Sequence, residues 1–216
     1  SASETAFFQR SNPWGLILFK RNCETPDQVK ALTAAFRAAV GRKDAPVFID
    51  QEGGRVQRLG PPSNYWRKFP PARSLGDLYA KSPLNALRTA RHVGRLMAED
   101  LIEIGITADC LPVLDVPQAG AHDVIGNRAY SLHIEHVMAL ARAHTAGLMD
   151  GGVLPVMKHI PGHGRAEVDS HHNLPVVNAR RQELEQVDFP PFAAFADAPM
   201  AMTAHVIYTA IDKTAP

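Results

Sequence analysis

Two hydrophobic periodicities alternate along the chain. Short unbroken apolar runs are followed by longer stretches whose apolar residues recur at helical spacing. Trp14-Gly15-Leu16-Ile17-Leu18-Phe19 is the first run and predicts a strand buried on both faces. Thr25 and Pro26 then supply an N-cap and a first-turn proline, Val29, Leu32, Phe36 and Ala39 mark a buried stripe, and Gly41 closes the helix. Pro46 to Ile49 predicts the second strand, ending at Asp50 and a turn over Gln51–Arg55. Gly60, Pro61, Pro62, Pro70 and Pro71 predict an irregular loop with a short helical turn over 60–76. A long helix is expected from Leu84 to Ile104, stopped by Gly105. A strand over Ile106–Asp109 follows, extended by the proline-interrupted run Leu111–Val116, then a polar loop over 117–132. His133 to Met149 predicts another helix, and Val153 to Met157 a buried strand. Arg180 to Ala196 reads as a helix that Pro190-Pro191 must break or kink, and Ala201 to Val206 as a last strand.

Strand followed by helix, repeated, predicts a parallel α/β sheet. Polar groups follow four different strands (Asp50, Arg128, Lys158 and His205), as though they face one mouth, which favours a barrel over an open doubly wound sheet. A complete eight-fold barrel needs about 250 residues. This chain has 216, with five or six strands, and is expected to be part of a longer one: a single barrel domain over 1–216, cut at both ends.

Composition narrows the class. Hydrophobic residues make up 45% and charged residues 21%, an ordinary globular balance. A net charge of +1 gives no case for nucleic acid or an acidic membrane surface, and no apolar run approaches the ~20 residues of a membrane span. Cys23 and Cys110 form no CxxC pattern and suit reduced thiols in the cytoplasm. No signal peptide is visible.

The densest chemistry lies in KHIPGHGRAEVDSHHNLP, residues 158–175, where glycine and proline preclude a regular helix. Asp169 stands two residues before His171; in extended backbone both point to one side, and the carboxylate can set the imidazole's tautomer for acid/base work. A solvated histidine-rich loop is the bland alternative, and a zinc site built from His159, His163, His171 and His172 ranks below acid/base use. Lys158 and His159 end a buried strand, where the lysine can donate to a ligand or serve an ion pair. In Asp50–Arg58, a carboxylate, two glycines and two arginines suit a polyhydroxylated ligand, with Asp50 gripping hydroxyls through both oxygens. Arg128, in a Gly-Asn-Arg triplet, is weak evidence alone.

Together, KHIPGHGRAEVDSHHNLP and IDQEGGRVQR resemble the bacterial β-N-acetylhexosaminidases of glycoside hydrolase family 3, with Ile160 in place of a usual phenylalanine. WGLILFKRN and DVIGNR extend the resemblance over nearly the whole chain. It implies a (β/α)8 barrel that releases terminal β-linked N-acetylglucosamine with retention through a covalent glycosyl-enzyme. His171 would be the acid/base oriented by Asp169, and Asp50, Arg58, Arg128, Lys158 and His159 would hold the sugar. It further implies a cytoplasmic monomer acting on cell-wall muropeptides in peptidoglycan recycling, with no cofactor or metal and no nucleic-acid or membrane partner. The family's aspartate nucleophile, in a Ser-Asp-Asp-Leu-like motif, is expected beyond Pro216; Asp212 lacks that context. The alternatives are a sugar-binding relic, transfer to phosphate instead of water, and a metal-dependent hydrolase.

Overall fold

A computed structural model describes residues 1–121, 123–166 and 174–216. The chain opens with α1 (Ala2–Ser11), a helix absent from the sequence reading, started by a Ser1/Glu4 capping box. Its Phe8 meets Phe36 edge-on, with ring centroids 5.4 Å apart. β1 (Leu16–Leu18) precedes α2 (Pro26–Val40), whose Thr25 hydroxyl accepts from the Gln28 N–H and whose Gly41 is left-handed, as the capping residues predict. β2 (Val47–Ile49) runs directly into β3 (Gln51–Gly53), which turns back as β4 (Val56–Gln57). The expected turn after Asp50 is therefore a small antiparallel hairpin.

The proline-rich stretch yields to α3 (Ala72–Lys81), and α4 (Pro83–Glu103) is the long helix. β5 (Ala108–Asp109), α5 (Ile134–Asp150) and β6 (Leu154–Ile160) follow. β6 extends three residues past its apolar run and so carries Lys158 and His159 inside the strand. After β7 (Val176–Val177), the predicted last helix is broken into α6 (Arg181–Glu183), a π-helical turn over Leu184–Asp188, and α7 (Phe189–Ala194). The prolines Pro190 and Pro191 sit in the first turn of α7, where a missing N–H is tolerated. β8 (Met200–Thr203) and β9 (Ile207–Tyr208) complete the order.

Five strands pair in the order β1-β2-β5-β6-β8, every neighbouring pair parallel. This is a half-barrel sheet of the expected α/β class. β7 and β9 form a separate parallel pair. Leu111–Val116 is not a regular strand, because the N–H that Pro112 lacks interrupts the ladder. It still tracks β6, with Leu114 N–H donating to Lys158 O at 2.8 Å and Lys158 N–H to Pro112 O at 3.0 Å. β1, expected to be buried on both faces, is not. Ile17 is 39% and Trp14 64% exposed, because β1 is an edge strand with one neighbour.

The main core packs α2 and α4 against the sheet through Val29, Phe36, Val47, Ile49, Met97 and Leu101. A second cluster joins α3, α4 and α5. Among the described residues, no helix is long and apolar enough to cross a membrane. α4 and α5 cross at two glycines: a Cβ on Gly94 would lie 2.3 Å from His144 O, and one on Gly147 2.0 Å from Arg91 O. Gly94→Ala and Gly147→Ala are each expected to cost about 1–3 kcal/mol as the helices are forced apart. In urea, the midpoint should fall with little change in slope.

Candidate active site

The hairpin, the Leu111–Val116 segment and the C-terminal end of β6 bring the polar groups together. Lys158 is fully buried at the end of β6, and its Nζ donates to Asp50 Oδ1 at 2.8 Å and lies 2.6 Å from Glu52 Oε1. Asp50 and Glu52 stand two residues apart and reach one ammonium, as strand periodicity allows. The other Asp50 oxygen accepts from Arg58 Nη2 at 2.9 Å. Glu52, 3% exposed, accepts both arms of Arg128, Nε and Nη2, at 2.8 Å each. Such forked pairing fixes the guanidinium's plane as well as its position.

Arg128 Nη2 lies 3.5 Å from His159 Nε2. A guanidinium only donates, so in this contact Nε2 carries the lone pair and Nδ1 the proton. Nδ1–H in turn donates to Asp115 Oδ2 at 2.6 Å. The second Asp115 oxygen accepts the His163 N–H at 2.6 Å. The result is a continuous alternation from Arg58 through Asp50, Lys158, Glu52, Arg128 and His159 to Asp115. The peptides Lys158–His159 and Ile160–Pro161 are cis.

Burial alone would push the Asp50 carboxyl up, but the Lys158 ammonium and the bonds from Lys158 and Arg58 hold it at about 2. Glu52 is likewise pushed up by burial and brought below its usual value by Lys158 and Arg128. For Lys158, burial favours the neutral amine, yet Glu52 and Asp50 raise it above an ordinary lysine. Asp115 is lowered: burial opposes ionisation, while His159 and the His163 N–H favour it. Asp109 is different. Fully buried, with one oxygen accepting the Gln51 N–H at 2.9 Å and the other without a partner, its carboxyl is raised well above the usual value, chiefly by burial.

A cavity of about 620 Å³ opens onto Asp50, Arg58, Arg128, Lys158 and His159, with Phe19, Met202 and His205 from the ends of β1 and β8. All five predicted sugar-binding residues therefore share one mouth. Asp50 uses each oxygen on a cation, but every carboxylate oxygen can accept a further bond, so a ligand hydroxyl can still be held. The glycine pair serves packing: a Cβ on Gly53 would lie 2.3 Å from Pro70 O, so the close approach is to the proline loop rather than a ligand. Gly53 and Gly54 also take positive φ of 88° and 58°. Arg55 reaches across the mouth to Asp123 at 2.9 Å and steadies the loop that carries Arg128.

Asp169 and His171 lie outside the described residues, as does His172 of the zinc alternative. Among the described residues, no three His, Cys, Asp or Glu side chains are placed to hold a metal ion. Sequence reasoning missed Glu52, Asp115 and Asp109. An acid inside an apolar run such as Leu111–Val116 is the available signal, since a buried carboxylate needs a partner.

Residues 3–216 match the Glycosyl hydrolase family 3 N terminal domain. The chain belongs to this family. It is 40% identical over 214 residues to a β-hexosaminidase of Alkalilimnicola ehrlichii, covering 98% of this chain and 60% of that protein. A β-hexosaminidase of Chromobacterium violaceum is 42% identical, with 92% and 55% covered. The structure of NagZ from Neisseria gonorrhoeae in complex with N-trifluoroacetyl-D-glucosamine superposes with a TM-score of 0.91 at 36% identity, covering all of this chain and 63% of that one. The chain thus spans 55–60% of the length of these two curated relatives.

Removing the central carboxylate should be costly. Glu52→Leu leaves Lys158 and Arg128 short of counter-charge and is expected to destabilise the fold by roughly 3–5 kcal/mol in denaturant titration. Acid should act through Asp50. Its folded value of about 2 lies below the ordinary 3.8, so its stabilisation is complete above that ordinary value and is lost as pH falls through 2. The stability gap between the wild type and Asp50→Asn should therefore close over that range.

Proposed function

We propose that this chain is the catalytic-domain portion of a retaining β-N-acetylhexosaminidase built on a (β/α)8 barrel. It would hydrolyse terminal β-linked N-acetylglucosamine from cell-wall muropeptides. The observation that carries the reading is the charge-alternating set around buried Lys158, which lines a sugar-sized cavity in a member of glycosyl hydrolase family 3. Asp50 accepts ring hydroxyls, while Lys158 and the two arginines donate. His159 offers the Nε2 lone pair that Asp115 holds in place. Rigid donors and acceptors in alternation suit a polyol whose hydroxyls both give and accept hydrogen bonds.

Bond cleavage is assigned to His171, with Asp169 orienting its ring. In the first step, His171 protonates the glycosidic oxygen as a carboxylate attacks the anomeric carbon. In the second, it takes a proton from the water that releases the sugar. Asp50, Glu52 and Asp115 are not assigned as the nucleophile, because each is engaged by cations or by His159 and the His163 N–H. The reading includes a monomeric, cytoplasmic enzyme of peptidoglycan recycling without cofactor or metal, as the motif resemblance implies.

The test is turnover of aryl N-acetyl-β-glucosaminides. His171→Ala should lower kcat/KM about 10²–10³-fold for a poor leaving group and much less for an activated one, which needs no protonation. Equal losses on both substrates would remove His171 from the acid role. Full activity after metal chelation is also expected.

A further inference from the structure

We propose that Gln51 is a positioning residue that sets the place of Arg58 in the cavity. This rests on the reading of that cavity as a sugar site. Gln51 is 1% exposed and does not itself line the cavity. Its side chain meets the backbone of Leu59 with both arms: Nε2 donates to Leu59 O at 2.9 Å, and Oε1 accepts the Leu59 N–H at 3.0 Å. A carboxamide is the neutral group that offers a donor and an acceptor side by side, so it pairs with a peptide as a neighbouring strand would.

The clamp closes on the residue next to Arg58. On the other side of Arg58 stands Gln57, the last residue of β4, whose Nε2 also donates to Leu59 O at 2.6 Å. The Arg58 N–H reaches back to Asp50 O at 3.3 Å. Gln51 itself is fixed from below by Asp109, which accepts its backbone N–H at 2.9 Å. Asp109 therefore holds the residue between Asp50 and Glu52, and Gln51 holds the residue beyond Arg58. The Arg58–Asp50 contact at 2.9 Å depends on both ends of this brace.

Two substitutions separate the roles. Gln51→Leu removes both arms, while Gln51→Glu keeps the acceptor toward Leu59 N–H, loses the donor and adds a carboxylate beside Asp50, Glu52 and Asp109. Each is expected to raise KM for a terminal N-acetyl-β-hexosaminide about ten-fold, with kcat changed less than about two-fold. Added to Arg58→Ala, Gln51→Leu should raise KM by less than about a further two-fold, because residues acting through one another are not additive. Independent, multiplying effects in an active parent enzyme would overturn the proposal. The Arg58 Nη2–H resonance, which reports the bond to Asp50, reads the same point without turnover: in both variants of the full chain it should move toward the position of unrestrained arginine. An unmoved resonance in both overturns the clamp, whatever the activity. A moved resonance in a parent that turns over no N-acetylhexosaminide supports the clamp and defeats the sugar reading instead. Gln51→Glu, closest to the native shape, carries the test if Gln51→Leu does not fold.

Discussion

A buried ammonium has to be given counter-charge, and the mouth of this half-barrel is arranged by that need. Lys158 is almost completely removed from water, where leaving an ion unpaired costs on the order of several kcal/mol. Asp50 and Glu52 supply two carboxylates from one short extended stretch, and each then requires a further cation to remain ionised. Arg58 and Arg128 are those cations. Arg128 brings His159 into the set, and His159 brings Asp115. One lysine at the end of a central strand thus fixes the positions of six other side chains from four segments.

The same arrangement suits binding. Groups held by one another lose little freedom when a ligand arrives, so their hydrogen bonds are not offset by ordering costs. Rigidity also has a consequence for chemistry. Asp50 and Glu52 are each committed to two cations, and Asp115 to His159 and the His163 N–H. Asp109 lies beneath, and its burial disfavours a fourth negative charge in the cluster.

Much of the fold was legible in the residues. Thr25-Pro26 and Gly41 bound α2 because caps act locally, and Pro46–Ile49 and Val153–Met157 are strands because an unbroken apolar run needs cover on both faces. The failures are tertiary. β1 looks as apolar as the inner strands, but exposure depends on the number of its neighbours, which no local pattern encodes. α1 carries no sequence signal strong enough to predict it, because its few apolar residues, Phe8 among them, matter only once α2 lies beside them. The sequence predicts only a turn where the hairpin at Gln51–Gln57 forms, because its packing partner, the proline loop at Phe69–Pro71, lies elsewhere in sequence.

The site divides in the same way. By its composition and order, the sequence determined that Asp50, Arg58, Arg128, Lys158 and His159 come after successive apolar runs, and parallel strand–helix units place such residues at one end of the sheet. It also carried the motifs that mark the family. Only the tertiary structure decided which charge meets which: Glu52 between Lys158 and Arg128, Asp115 under His159, and Gln51 against Leu59. The physical reason is reach. Hydrogen bonds and ion pairs act over about 3 Å, and residues separated by 44, 76 and 106 positions come within that distance only when parallel strands set their register.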